Sequence, residues 1–360
     1  MNDTTRRIIL WMIFGFSMVL LWDQWQLYNG RKATFFPPPS AQQAAQAAAS
    51  GASVPVATNA PATATTPTPA AAPAAPVVAK QHFEVLTDVL KLTFESEGGS
   101  LVRSEFLKHT DLENKKSNFV LLDDSKDRFY VAQTGLIGGG ATVAFPTHKT
   151  PMTISGDRAL KEGQNELSVQ FTSAEVGGLK LIKTYTLRRG AYDMDVKHEV
   201  VNVSGAPISA QLYLQLVRDG TPPAGTSYFY QTFTGPVVYT SAKHYQKAEF
   251  EDVKKKKAEY EKQSTDGYIA IAQHYFASAW ILPEGLQRTI SLDGIDIGSS
   301  VPNCCYRATA VVPLEGILPN SSRALTAKLF VGPQEEKQLE ALAPGLELLK
   351  DYGMFTVIAK

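Results

Sequence analysis

The stretch Tyr192-Asp193-Met194-Asp195-Val196-Lys197-His198-Glu199-Val200-Val201-Asn202 decides the fold class. Tyr192, Met194, Val196, His198 and Val200 alternate with Asp193, Asp195, Lys197 and Glu199. A repeat of two is that of a strand with one face in a core, whereas a helix repeats at about 3.6. Asp193 and Asp195 then share the polar face. They read as a solvated surface and not as an acid–base pair.

The same period spreads outward. Upstream, residues 166–172 and 179–187 flank Gly177-Gly178 as a hairpin. Downstream, 208–217 places Leu212, Leu214 and Leu216 on one face, after the break Gly205-Ala206-Pro207. Further strands are expected at 83–87, 89–94, 100–107, 118–122 and 128–133. On the other side they are expected at 237–240, 268–281, 287–292, 306–312 and 323–331. Many short strands punctuated by glycine and proline predict an all-β sandwich or barrel. A domain of roughly 250 residues buries about three quarters of its unfolded surface. The expected domain is 80–333.

The period changes at the end of the chain. Gly332-Pro333 stops the last strand, and Glu335 and Glu336 suit the positive end of a helix carrying Leu339 and Leu342. Pro344-Gly345 terminates it. In the expected helical segment 334–360, the last residues are apolar and too short to span a membrane. Tyr352, Met354, Phe355, Val357 and Ile358 are read as an interfacial helix, on a bilayer surface or on the flank of the β domain. At about 100° per residue, Met354, Val357 and Ile358 fall near one face.

At the front, residues 1–28 are read as a cytoplasmic tip and a membrane anchor. Arg6-Arg7 precede a run from Ile8 to Leu21 that is apolar except for Gly15 and Ser17. Ile8, Leu10, Trp11, Ile13, Phe14, Phe16, Leu20 and Leu21 supply its body, and Trp22 and Trp25 bracket Asp23. Roughly 20 helical residues at about 1.5 Å each cross a bilayer core. A cleaved signal peptide needs a small-x-small site directly after the run. Bulky residues follow here, and the first Ala-x-Ala is Ala45-Gln46-Ala47. The run is therefore read as an uncleaved anchor with an interfacial tryptophan pair, its N-terminus held inside by the arginines. Residues 29–79 are read as a disordered linker. From Ala33 to Ala79 no residue is charged, and Ala, Pro, Thr, Ser and Gln dominate. About 47 flexible residues reach about 40 Å.

Composition and motifs assign no catalytic, cofactor-binding or metal-binding residue. Lys and Arg number 35, as do Asp and Glu, which gives no electrostatic case for nucleic acid. Cys304 and Cys305 are the two cysteines; adjacent, they offer neither a disulfide framework nor a zinc site, and one or two free thiols are expected, the alternative being a strained bond between neighbours. The histidines His82, His109, His148, His198, His244 and His274 show no pair at metal spacing and read as surface or strand residues. Gly138-Gly139-Gly140 lacks the Lys-Ser/Thr of a phosphate loop. Lys254 to Lys257 lie between acidic residues, as in a solvated loop or helix; the alternative is a partner-docking patch.

The order of motifs resembles a known family. It runs from the tryptophan-bracketed anchor and Ala/Pro linker to Thr87-Asp88-Val89-Leu90, Glu97-Gly98-Gly99 and Glu162-Gly163-Gln164-Asn165-Glu166-Leu167. Lys183-Thr184-Tyr185-Thr186-Leu187-Arg188-Arg189-Gly190 follows, then Gln273-His274-Tyr275-Phe276-Ala277-Ser278-Ala279-Trp280 and Val331-Gly332-Pro333. Leu342-Ala343-Pro344-Gly345-Leu346-Glu347-Leu348 and Asp351-Tyr352-Gly353 close it. The whole chain resembles the first part of YidC-type membrane protein insertases of Gram-negative bacteria, in the YidC/Oxa/Alb family.

The resemblance implies a periplasmic β-supersandwich similar to galactose mutarotases, an inner-membrane location and no cofactor. It implies insertion and folding of nascent inner-membrane proteins, alone or with the Sec translocon, with the lipid bilayer as a further partner. The family's five further membrane helices, with the groove and its key arginine, lie past the position of Lys360, so no insertion residue is carried over. The alternatives are a membrane-tethered scaffold docking translocon subunits and a carbohydrate-binding, mutarotase-like protein.

A reporter that works only in the periplasm, fused after Lys80, is expected to be active, with the anchor still present on the mature N-terminus. An inactive reporter, or an N-terminus mapped near Ala47, contradicts this topology.

Overall fold

The computed structural model describes residues 80–350 except 112, 139–143 and 224–231. The expected anchor (1–28), the linker (29–79) and the interfacial residues Tyr352 to Ile358 lie outside the described residues. Among those described, no helix is long and apolar enough to cross a membrane.

The chain first forms β1 (His82–Leu86), β2 (Leu90–Glu95), β3 (Ser100–Thr110), β4 (Asn118–Val120), β5 (Asp123–Asp124), β6 (Phe129–Gly138) and β7 (Met152–Gly156). Next come β8 (Glu166–Ser173), β9 (Leu179–Arg188), β10 (Asp193–Asn202), β11 (Ile208–Arg218), β12 (Gly235–Thr240) and β13 (His244–Lys247). After α1 (Phe250–Lys254) follow β14 (Gln263–Ser264), β15 (Tyr268–Gln273), β16 (Phe276–Ile281), β17 (Arg288–Gly294), β18 (Tyr306–Ile317) and β19 (Ser322–Pro333). Helix α2 (Glu336–Leu342) and a 3-10 turn (Leu346–Leu349) end the described chain.

The strands make two antiparallel sheets. Sheet one runs β1-β2-β3-β6-β11-β18-β17-β14, with β4 on β3 and β5 on β6; sheet two runs β13-β12-β15-β16-β19-β10-β9-β8-β7. In sheet two, Leu167, Leu187, Met194, Leu329, Trp280 and Ile269 stand in register across six strands. This row faces sheet one, because the Trp280 Nε1–H donates to the Gln215 carbonyl of β11 at 3.1 Å. From sheet one, Ala132, Leu216 and Ala308 form one inward row and Leu136, Leu212 and Val312 another. One apolar core fills the space between.

Polar links stitch the sheets through that core. Lys183 occupies an inward position of β9, where the alternation would put an apolar residue. Its amine donates to the Gly98 carbonyl at 2.6 Å and the Thr134 carbonyl at 2.7 Å. Tyr185 OH donates to the Gly99 carbonyl at 2.8 Å, His198 Nε2 meets Thr134 Oγ1 at 2.9 Å, and Tyr130 OH meets Ser278 Oγ at 2.6 Å. Gly98 and Gly99 make the β2–β3 turn at positive φ, and a Cβ on Gly98 would strike the His148 backbone. Only glycine lets the turn lie this deep.

The outer faces differ. On sheet two, the row Tyr239, Tyr268, Ile281, Lys328, Asp195 points away from the core. Tyr239 and Tyr268 stack at 5.3 Å, and the terminal segment covers them: Tyr268 OH donates to the Gly345 carbonyl at 2.7 Å. Double coverage explains why all of β15 is buried. Further along, Asp193 and Asp195 pair with Lys328 at 3.3 and 3.1 Å, and Asp195 also with Arg188. The polar face expected there is an ion-pair cluster.

On sheet one, Val102, Val131 and Val217 form a second small core under the loop carrying Cys305. Ile295 and Cys305 exchange backbone hydrogen bonds of 2.8 and 2.9 Å. Cys304 and Cys305 are joined by a disulfide across a cis peptide, with Cα atoms 3.0 Å apart. The expectation of one or two free thiols gives way to the alternative of a bonded adjacent pair.

Other differences are local. The segment expected as one strand over 268–281 is two, because the chain reverses at His274-Tyr275. Strands β7, β13 and β14 are edge or near-edge pieces too short to show a period. His148 and His198 are buried, and burial holds each imidazole down to about 3, the nearby Lys183 amine adding to the effect. Burial also lowers the Lys183 amine to about 7.

These three groups predict the pH response. The unfolded Lys183 amine holds its proton to about pH 10.4 and unfolded histidines theirs to about 6.5. From about pH 7 to 10.4, and again from about 3 to 6.5, the unfolded state therefore binds more protons. Stability rises with pH across both windows. Urea unfolding midpoints are expected to climb between pH 7 and 10, and Lys183→Met to flatten that climb. The same midpoints should fall as pH drops below 6.5, and His198→Asn should reduce the fall.

Candidate functional site

The β15–β16 turn builds a groove at one end of sheet two. Gln334, directly after β19, fixes the turn: its Nε2 donates to the carbonyls of Gln273 at 3.1 Å and Phe276 at 3.0 Å. Its backbone N–H donates to the Tyr275 carbonyl at 2.8 Å. Tyr275 is held at φ 68° with its side chain 60% exposed. An aromatic residue in the left-handed region is strained, which sterics normally reserve for glycine and asparagine.

Two adjoining hollows, of about 360 and about 340 Å³, share His109 and the turn Gln273 to Phe276. Each lies at the low end of the range of small-ligand sites, roughly 300–1,000 Å³. One extends towards Phe233, Pro333, Glu335 and Lys350, the other towards Lys108, Phe119 and Pro223. The floor is aromatic. Phe119 and Phe276 stack at 3.9 Å, and Phe106 and Tyr192 pack behind them.

The polar groups are few and placed. Thr232 Oγ1 meets His274 Nδ1 at 2.7 Å, and His109 Nδ1 lies 3.5 Å from Tyr192 OH. Gln273 is buried, and its Oε1 has no hydrogen-bond partner. A buried acceptor left unpaired costs about 1–3 kcal/mol, so such an atom is where a donor is wanted. Among the described residues no group of three His, Cys, Asp or Glu stands ready to hold a metal. The groove has mainly apolar walls with few polar groups at its rim.

None of these residues was singled out as a site from the sequence, although Gln273 to Trp280 was one of the stretches carrying the family resemblance. The signal was present in the sequence: Gln273-His274-Tyr275 interrupts an otherwise apolar run.

Fold and groove together define a large two-sheet antiparallel sandwich with a surface groove at one end of sheet two. The family model of the YidC periplasmic domain matches residues 82–360. The membrane protein insertase YidC of Bordetella parapertussis is 48% identical over 366 residues, covering 99% of this chain and 63% of that protein. That of Cupriavidus metallidurans is 43% identical over 360 residues, covering 99% and 62%. The chain thus spans less than two thirds of the length of these relatives. Among solved structures, a galactose mutarotase related enzyme from Lactobacillus acidophilus shares 8% identity at a TM-score of 0.44, over 70% of this chain and 97% of that one. The chain belongs to the YidC periplasmic domain family.

The groove floor is part of the core, and the exposed turn is not. Phe276→Ala is expected to cost about 3 kcal/mol in urea unfolding. Tyr275→Gly relieves the positive φ and should leave stability within about 1 kcal/mol of the parent.

Proposed function

We propose that this chain serves membrane protein insertion as the anchored, periplasmic portion of an insertase of the bacterial inner membrane. The observation that carries this reading is 48% identity, along 99% of the chain, to a protein named membrane protein insertase YidC. The Arg6-Arg7 and Trp22/Trp25 anchor and the uncharged linker fit a domain tethered to a bilayer. On this reading 1–28 anchors, 29–79 gives reach, 80–333 is the periplasmic sandwich, and 334–360 leads back to the membrane through Tyr352, Met354, Phe355, Val357 and Ile358. The lipid bilayer and nascent inner-membrane proteins are the partners. The work is done alone or beside the Sec translocon, onto which the sandwich docks.

Depleting the gene product in its host tests this. A newly made single-span inner-membrane protein, followed by protease accessibility after a pulse label, is expected to remain uninserted in depleted cells. Unchanged insertion overturns the proposal.

A further inference from the structure

We propose that the bonded pair Cys304 and Cys305 is a thiol–disulfide exchange site. A protein dithiol opens it at Cys304, and the opening releases the loop 295–305 from sheet one.

The loop joins β17 to β18 without regular structure and lies on the small core of Val102, Val131 and Val217. Ile295, Ile297 and Cys304 pack on that core half-buried, and Cys305 is buried in it. Three backbone hydrogen bonds hold the ends of the loop. The Cys305 N–H donates to the Ile295 carbonyl at 2.9 Å, the Ile295 N–H to the Cys305 carbonyl at 2.8 Å, and the Gly220 N–H to the Asn303 carbonyl at 3.0 Å. Each involves Cys305 or the residue just before the pair, so the state of the two sulfurs bears directly on them.

The bond does little for the fold as a whole. The entropy that a cross-link removes from the unfolded chain grows with the loop it closes. Neighbours in sequence close the shortest loop there is. The effect of the bond is local: it ties the side chain inside the small core to the one at its rim.

The surroundings suit exchange. Cys304 is the more exposed of the pair, and the exposed Pro302 and Asn303 precede it. An attacking thiolate reaches Cys304 Sγ and forms a mixed disulfide there. The bond to Cys305 breaks, and its electron pair leaves on Cys305 Sγ, which takes a proton. The second thiol of the dithiol then attacks its own partner sulfur in the mixed disulfide and frees Cys304 as a thiol. The dithiol ends as a disulfide and the chain as a dithiol. With no other cysteine in the chain, neither thiol has a wrong partner within it, and exchange with an oxidised partner restores the bond.

Nothing in this depends on the insertion role, and the test uses the purified 360-residue chain in detergent. Denatured without reductant, the chain is expected to take up no iodoacetamide. After native incubation with dithiothreitol, both cysteines should take it up. Amide hydrogen exchange, followed by mass spectrometry, should then quicken about tenfold in peptides covering 295–305 and Gly220, and stay unchanged in β9 and β10. Single variants read which sulfur is reached: Cys305→Ser should react with a thiol-specific reagent about tenfold faster than Cys304→Ser. The proposal is overturned if the untreated chain carries free thiols, if dithiothreitol leaves the native bond intact, or if exchange at 295–305 does not change. It is equally overturned if exchange quickens as much in β9 and β10, which makes the bond a brace for the whole fold, or if Cys304→Ser reacts as fast as Cys305→Ser. The oxidised and reduced wild-type chains carry the test even where a serine variant misfolds.

Discussion

A lysine amine in the middle of an apolar core is the constraint around which the two sheets are arranged. Lys183 reaches from β9 to the carbonyls of Gly98 and Thr134 on the opposite sheet. The Gly98 carbonyl points inward because the Gly98-Gly99 turn lies between the sheets, and a buried carbonyl without a donor costs about 1–3 kcal/mol. With no carboxylate hydrogen-bonded to it, the amine sheds its proton easily, and burial draws it to about 7. Tyr185 and His198 extend the same line of polar links. Together they fix how one sheet lies over the other, which apolar contact alone does weakly because it has no direction.

The strands were legible and the faces only partly so. Period-two stretches such as 179–187 and 192–202 gave their own location, because one side chain in two enters the core. The same pattern could not say that Lys183 and His198 sit inside, since a charged residue on an apolar face reads as an exception until its partners are known. Those partners lie 49 to 85 residues away from Lys183 along the chain. Residues 268–281 look like a continuous strand because both halves are buried on both faces, which removes the alternation that would have shown the break. The anchor and linker were read from composition alone and lie outside the described residues.

The groove was not legible for a different reason. It joins the end of β3, the β15–β16 turn, the residues before β12 and the segment after β19, which are remote in sequence. What marks Gln273 is the absence of a partner for one oxygen, a property of the assembled fold that no local pattern encodes. A sequence reader sees an amide, an imidazole and a phenol at a turn, and solvated turns are commonly composed that way.

The terminal segment ties the groove to the rest of the chain. Glu335 follows Gln334, which pins the turn; after α2, Gly345 lies against Tyr239 and accepts from Tyr268, and Leu339 of α2 and Leu346 and Leu349 of the 3-10 turn are buried. Lys350 closes the path by pairing with Glu336 at 3.4 Å and lining the groove. The groove wall and the helix that leaves the sandwich are therefore one packed unit. A pull on Lys350 is met first by the exposed ion pair with Glu336, which is weak and screened by salt. Next it meets the buried leucines, each worth about 1.5–3 kcal/mol of burial. The Gln334 hydrogen bonds that shape the turn lie behind both. The β15–β16 turn is thus held apart from a pull at Lys350 by two successive contacts, whereas the wall that Lys350 itself lines is not.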